Sequence, residues 1–149
     1  MKLHYFLTKI VIIYFFLVSI SFASQSEYFK EGKKLFDSKK FDKSQIFFER
    51  DIVFNPKSEK SYLYLAKIFI NDDNDQEVET NLNNVLILNP RNDEAIYMMI
   101  ILKIKQSDYN EAKKLIEKFN IVCKSFCLKK NEIQEKFEKL IPENEKDKD

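Results

Sequence analysis

Histidine is all but missing from this chain: His4 is the only one in 149 residues. Glycine occurs once, at Gly32, proline three times, and cysteine twice, at Cys123 and Cys127. Each scarcity excludes something. A chain whose one histidine lies at its extreme N-terminus lacks the commonest metal ligand and the commonest general base in its body. No serine–histidine or cysteine–histidine pair can be assembled there. Two thiols without histidine fall short of the four ligands of a structural zinc site. Few glycines and prolines mean few chain breakers, and together with long apolar stripes this argues for helices rather than sheet. Charge of either sign is not in excess, with 25 Lys and Arg against 24 Asp and Glu. Nucleic-acid binding therefore has no bulk electrostatic support.

The first 23 residues differ in kind from the rest. Met1 to Lys9 carries Lys2 and Lys9 and no acid, and Ile10 to Ile20 is apolar apart from Ser19. Ser21-Phe22-Ala23 then places small residues two apart. A basic start, a short apolar centre and a small-x-small end read as a secretory signal cleaved after Ala23. An uncleaved membrane anchor is the alternative, although a spanning helix wants about 20 apolar residues and this run is shorter. Removing Lys2 and Lys9 leaves 23 bases against 24 acids. Richness in Lys, Asn, Ile and Phe is that of an AT-rich, bacterial genome. The expected location is the periplasm, or the exterior.

Beyond residue 24 the chain repeats itself. Phe54-Asn55-Pro56 and Leu88-Asn89-Pro90 are one tripeptide pattern with prolines 34 apart. In that frame Tyr28 falls over Tyr62, Leu35 over Phe69, Phe48 over Leu82 and Ile52 over Leu86. A third copy continues with Ile96, Met99, Tyr109, Ala112, Ile116 and Phe119. Such self-similarity marks a stacked array. The repeats, about 25–58, 59–92 and 93–126, resemble the tetratricopeptide repeat family. Repeat one carries Tyr28, Gly32, Phe48 and Pro56 in the family's positions. Repeat two matches by residue class at Tyr62, Leu65, Ala66, Phe69, Val78, Leu82, Val85 and Pro90. Repeat three matches at Met99 and Ala112, within the family-like stretch DYNEAKKLIEKF. The resemblance implies an all-α, right-handed α-solenoid of three helix pairs closed by a C-terminal capping helix. It implies a binding scaffold rather than a reaction, with no cofactor.

Several residues depart from the family pattern. Glu31 and Asp51 stand where Leu and Ala are usual, so repeat one is expected to pack loosely. Ile100 replaces a small residue, Lys103 and Lys124 replace an aromatic and a proline, and Asp75 replaces the turn aromatic. Helices are expected near 26–38, 42–54, 58–71, 76–88, 93–106, 109–122 and 131–141. Asp42, Asp108 and Asn131, each followed three residues later by Gln or Glu, read as N-caps. Ile133, Phe137, Leu140 and Ile141 form the apolar stripe of the cap, and 142–149 is a charged, disordered tail.

The resemblance also implies that the first helix of each pair lines a concave groove. Its positions give Phe29, Leu63 and Tyr97; Lys33, Lys67 and Ile101; and Phe36, Ile70 and Ile104, with Lys60 and Lys105 nearby. Apolar ladders flanking a basic one suit a peptide or helix with acidic residues. In this reading Lys67→Glu weakens partner binding without lowering the melting temperature. Tyr64 and Ile101 stand where the family's carboxylate clamp wants polar groups, so that clamp is not expected.

Two further stretches invite chemistry. NDDNDQEVE (71–79) is dense in oxygen ligands, but it lacks the glycine of a calcium loop and the repeat frame makes it an inter-helix turn. CKSFC (123–127) is not the CxxCH of haem attachment, nor the CxxC of a thioredoxin-type helix start. An exported chain with an even cysteine count favours a structural disulfide, placed between the last repeat and the cap. Within one helix, i and i+4 β-carbons lie about 5–6 Å apart, too far for a bridge. The helix is therefore expected to break between 123 and 127. A thiol–disulfide exchange protein using Cys123 and Cys127, and a membrane-anchored subunit of an envelope complex, are the two alternative functions.

Overall fold

A computed structural model describes residues 26–140. The expected signal segment 1–23, Ile141 and the expected charged tail 142–149 lie outside the described residues. Within them the helices are α1 (Glu27–Asp37), α2 (Phe41–Phe54), α3 (Glu59–Asn71), α4 (Asp75–Leu88), α5 (Asp93–Lys105), α6 (Tyr109–Val122) and α7 (Lys130–Leu140), with a 3-10 turn at Cys127–Lys129. There is no strand among the described residues. The heaviest packing joins α1 to α2, α3 to α4 and α5 to α6; α2 to α3 and α4 to α5 link the pairs, and α7 lies on α5 and α6. Each unit touches its neighbours, the organisation of an all-α solenoid.

The turns inside the pairs repeat as the sequence does. Lys39, Asp73 and Ser107, 34 residues apart, adopt φ of 58°, 53° and 60°. Around them Lys40, Asn74 and Asp108 donate N–H groups to the carbonyls of Leu35, Phe69 and Lys103 at 2.9, 3.0 and 2.9 Å. These are Schellman closures, which satisfy helix carbonyls that would otherwise be orphaned. Side-chain caps come from Ser26, Asn74, Asn92 and Asp108. Asp42 and Asn131, expected as caps, are not. Phe41 packs its ring 5.3 Å from Phe36, which draws it into the first turn of α2, so the helix starts one residue early. Asn131 lies inside α7 because the 3-10 turn runs straight into that helix.

Two apolar clusters form the core. Phe29, Phe48, Leu65 and Ile68 join repeats one and two. A larger cluster runs through repeats two and three and ends at Ile133 and Phe137 of the cap. Leu140, expected in the same stripe, is half exposed. At equivalent positions of repeats one and two the sizes compensate. Gly32 faces Phe48, with a Cβ there only 2.8 Å from the ring. The matching pairs, Ala66 with Leu82 and Ile100 with Ile116, are also buried. From repeat one to repeat two a larger residue on the first helix goes with a smaller one on the second; Ile116 is the same size as Leu82, so Ile100 is not offset by its partner on the second helix.

The polar departures have structural employment as well. Asp51 is fully buried, yet it does not loosen repeat one. Its carboxylate accepts hydrogen bonds from the hydroxyls of Ser26, Ser58 and Ser61, tying the starts of α1 and α3 to the end of α2. Glu31 is half-buried and lies 3.4 Å from Lys34. Lys103 pairs with Glu79 at 2.6 Å, and this bond holds the Glu79 carboxyl below its usual range.

A second pattern joins the repeats at their loops. The first residues of α3 and α5, Glu59 and Asp93, reach the next inter-repeat loop. Glu59 accepts from the Asn89 and Asn92 side chains at 3.0 and 2.5 Å. One oxygen of Asp93 accepts the backbone N–H groups of Lys124, Ser125 and Phe126 at 2.6, 2.6 and 3.0 Å. Proline has no N–H to donate, which is why Lys124 cannot be the usual proline. The same loop is closed by the cysteines. α6 ends at Val122, Cys123 is extended, and Cys123 and Cys127 stand at disulfide distance with Cα atoms 5.3 Å apart. The helix break is where the spacing required it. A bridge across so short a loop contributes about 2 kcal/mol in the loop-entropy view.

Burial pushes the Asp93 carboxyl up, but the three N–H donors, Phe126 first, outweigh it and hold it below its usual range. A depressed carboxyl contributes stability that is present above the unfolded value, near 4, and is lost as pH falls through the folded one. Asp93→Asn is therefore expected to cost about 1 kcal/mol at neutral pH. It should also flatten the acid limb of the stability curve below about pH 4. Urea melts at stepped pH check both; an unchanged acid limb would show that Asp93 is not its source.

Candidate partner-binding groove

On α5, Tyr97, Met98, Ile101, Leu102 and Lys105 follow spacings of one and three, which puts them on one helix face. Opposite stand Ile70 from the end of α3 and Asp75 and Val78 from the start of α4. Together they line a half-open, almost wholly apolar cleft of about 170 Å³. A second cleft, of about 430 Å³, shares Ile101 and Lys105 and continues over Ile104 and Tyr109 to Lys136 and Leu140 of α7. The two make one path from the seam of repeats two and three onto the cap.

Electrostatics mark the rim. The Lys105 ammonium donates to Asp75 at 2.8 Å and to Asp73. The hydrogen bond to Asp73, then that to Asp75, raises Lys105 above its ordinary value, and Lys105 lowers Asp73 in turn. The acid-dense turn 71–79 thus serves to hold this lysine. At the other end Tyr97 donates to Glu132 of α7 at 3.0 Å. Burial first, then Glu132, raises the Tyr97 hydroxyl. Glu132 is held down by Lys129, then by Tyr97. This bond fixes the ring that walls the cleft.

The structure brings together Ile70, Tyr97, Ile101 and Lys105 of the expected groove and separates the others. Phe29 and Leu63 are 3% and 7% exposed and belong to the core. Ile104, 3% exposed, supplies only the floor of the second cleft. These are corrections: the neighbouring repeat covers the first two, and α7 helps to cover the third. Phe36 sits edge-on between Phe41 and Tyr64. Lys33 pairs with Asp37 at 2.5 Å, and Lys60 is exposed. Val78, Met98, Leu102, Lys136 and Leu140 were not anticipated as lining residues. Val78, Met98 and Leu102 are buried and form the floor of the cleft; their apolar pattern reads as core, and the gap between repeats above them does not show in it.

Lys67 lies 2.7 Å from Glu94 across the repeat boundary and 4.9 Å over the Tyr64 ring. Its role is therefore structural. Lys67→Glu would set two acids together and is expected to lower stability by about 1 kcal/mol, or roughly 5 °C in Tm. An unchanged melting curve would return Lys67 to the partner surface.

No family model matches the sequence, and no curated protein sequence resembles it. Solved structures do. One is the first TPR of Spaghetti (RPAP3) bound to the HSP90 peptide SRMEEVD, at TM-score 0.67 and 18% identity, covering 76% of this chain and 90% of that one. Another is a chain of the CopN-Scc3 complex, at TM-score 0.63 and 20% identity, covering 85% of this chain and 74% of that one. The fold is that of a tetratricopeptide-type solenoid. The cleft lies between α5 and the turn that joins the end of α3 to the start of α4.

Proposed function

We propose that the chain is a non-enzymatic protein-interaction scaffold of the bacterial cell envelope that holds a peptide or helix of a partner in the cleft along α5. The observation that carries this reading is an apolar cleft open at a repeat seam, rimmed by Lys105 and Lys136. One large apolar anchor would fill it, and an acidic neighbour would meet the lysines. The neighbour that holds SRMEEVD supports a peptide ligand for this fold. Because Lys33, Lys67 and Lys105 already pair within the chain, apolar contact rather than charge should dominate affinity.

Export is supported by the composition of residues 1–23 and by the two cysteines at disulfide distance. The membrane-anchored alternative differs in the N-terminal residue of the mature protein, which sequencing would read. The thiol-exchange alternative is disfavoured by position. Cys123 follows the C-terminus of α6, where the helix dipole opposes a thiolate. A thiol pKa well below 8 in the reduced protein would revive it.

The groove is tested by photo-crosslinking in the native envelope from positions 70 and 101, with position 46 as the control. A discrete adduct from the first two alone is expected. With the crosslinker kept at position 70, Ile101→Asp should reduce it by roughly thirtyfold, the effect of an anchor worth about 2 kcal/mol. Adducts from position 46 alone, or adducts indifferent to Ile101→Asp, would refute the groove.

A further inference from the structure

Val53, Ile87 and Ile121 are 34 residues apart, each the second-to-last residue of its helix, and they are 75%, 75% and 80% exposed. Leu128, in the following 3-10 turn, is 95% exposed. All four belong to one edge of the solenoid, where α2, α4 and α6 end and α1, α3 and α5 begin. The Ser26–Asp51–Ser58 and Glu59–Asn89 hydrogen bonds hold that edge together. Each inter-repeat loop there also carries an exposed base, Lys57, Arg91 or Lys124. None of the three pairs with an acid among the described residues. The acids of the edge are otherwise engaged: Glu59 and Asp93 on the loops, Glu94 on Lys67, and Glu27 3.8 Å from Lys30. The opposite edge differs. Its turns read Ser38-Lys39-Lys40, Asp72-Asp73-Asn74 and Gln106-Ser107-Asp108, with no apolar residue.

From this asymmetry we infer that the inter-repeat edge docks on an anionic lipid surface. The exposed aliphatic side chains enter the boundary between headgroups and acyl chains, and the loop bases meet lipid phosphates. The described chain begins at Ser26, on this edge. In the anchored alternative, where residues 1–23 are retained, the apolar run 10–20 ends six residues earlier, a reach of about 20 Å when extended, and would hold this edge against the membrane; in the cleaved form the exposed aliphatic side chains and the loop bases act alone. The inference is independent of the groove, which runs along α5 from Tyr97 to Lys105, although Tyr97 meets the third loop through the Phe126 ring at 5.7 Å.

The chain has no tryptophan, so one introduced indole reports its own depth. Full-length Ile87→Trp, Ile121→Trp and, on the opposite edge, Asn110→Trp would be mixed with phosphatidylcholine vesicles carrying brominated acyl chains, with and without phosphatidylglycerol. Quenching of about twofold or more is expected at positions 87 and 121 with phosphatidylglycerol, and little at 110. Adding Lys57→Glu, Arg91→Glu and Lys124→Glu should abolish the phosphatidylglycerol dependence. Circular dichroism melts confirm folding of each variant. No quenching at 87 and 121, equal quenching at both edges, dependence that survives charge reversal, or burial of these indoles by self-association without vesicles would each overturn the inference.

Discussion

Gly32→Ala is expected to destabilise the array by about 2 kcal/mol, although helix propensity alone would favour alanine by about 1 kcal/mol. The sign is decided by space. A Cβ at residue 32 would sit 2.8 and 2.9 Å from two atoms of the Phe48 ring. That ring cannot withdraw cheaply. It is fully buried, stacks 5.0 Å from Tyr64 and lies 5.6 Å from Phe29. The size compensation between helices supplies the control. Gly32→Ala with Phe48→Leu reproduces the Ala66 and Leu82 pair of repeat two. The double variant should recover part of the loss, whereas Phe48→Leu alone leaves a void and costs about 1 kcal/mol or more. Denaturant melts of the three variants form a double-mutant cycle. Additive losses would show that the two positions do not share one volume.

Asp51→Val is expected to cost about 2–3 kcal/mol. Three hydroxyls converge on this carboxylate, and the variant removes their acceptor. Ser61, itself fully buried, would be left with Ser58 at 3.1 Å as its only hydrogen-bond partner among the described residues. A buried charge is not in itself stabilising, and an apolar replacement of matching shape can be neutral. The next junction shows that replacement, with Val85 and Ala95 standing where Asp51 and Ser61 do. Asp51→Val with Ser61→Ala should therefore be less destabilised than Asp51→Val alone. If the second change instead deepens the loss, the serines act by packing and not as donors.

The paired residues of this fold were legible because each repeats at a fixed interval. Alternating stripes, the 34-residue period and the helix-breaking CKSFC spacing follow from local geometry, and they place every helix within a residue or two. The failures are local as well. Asp42 has the residue type of a cap but loses the position to a ring contact between Phe36 and Phe41. Asp51, Asp75, Lys103 and Lys124 look like damage to the repeat pattern. Each turns out to hold a partner: Ser26, Ser58 and Ser61; Lys105; Glu79; and Asp93. Most of those partners lie 24 to 31 positions away along the chain.

Of the groove, the sequence placed the helix and the face but not the opening. Phe29, Leu63 and Tyr97 share one place in the frame and Ile70 and Ile104 another, and nothing local separates the buried Phe29, Leu63 and Ile104 from Ile70 and Tyr97. What separates them is whether another element covers the site, and that is a property of stacking. The same holds for the lysines, whose availability depends on acids brought near by neighbouring turns and repeats. The chain by itself therefore determined an all-α repeat array, its helix limits and the break at the cysteine pair, because these rest on periodicity and chain geometry within a few residues. Only the tertiary structure decided which apolar side chains remain open and which charges are already paired, because burial and ion pairing are settled between segments that the backbone keeps far apart.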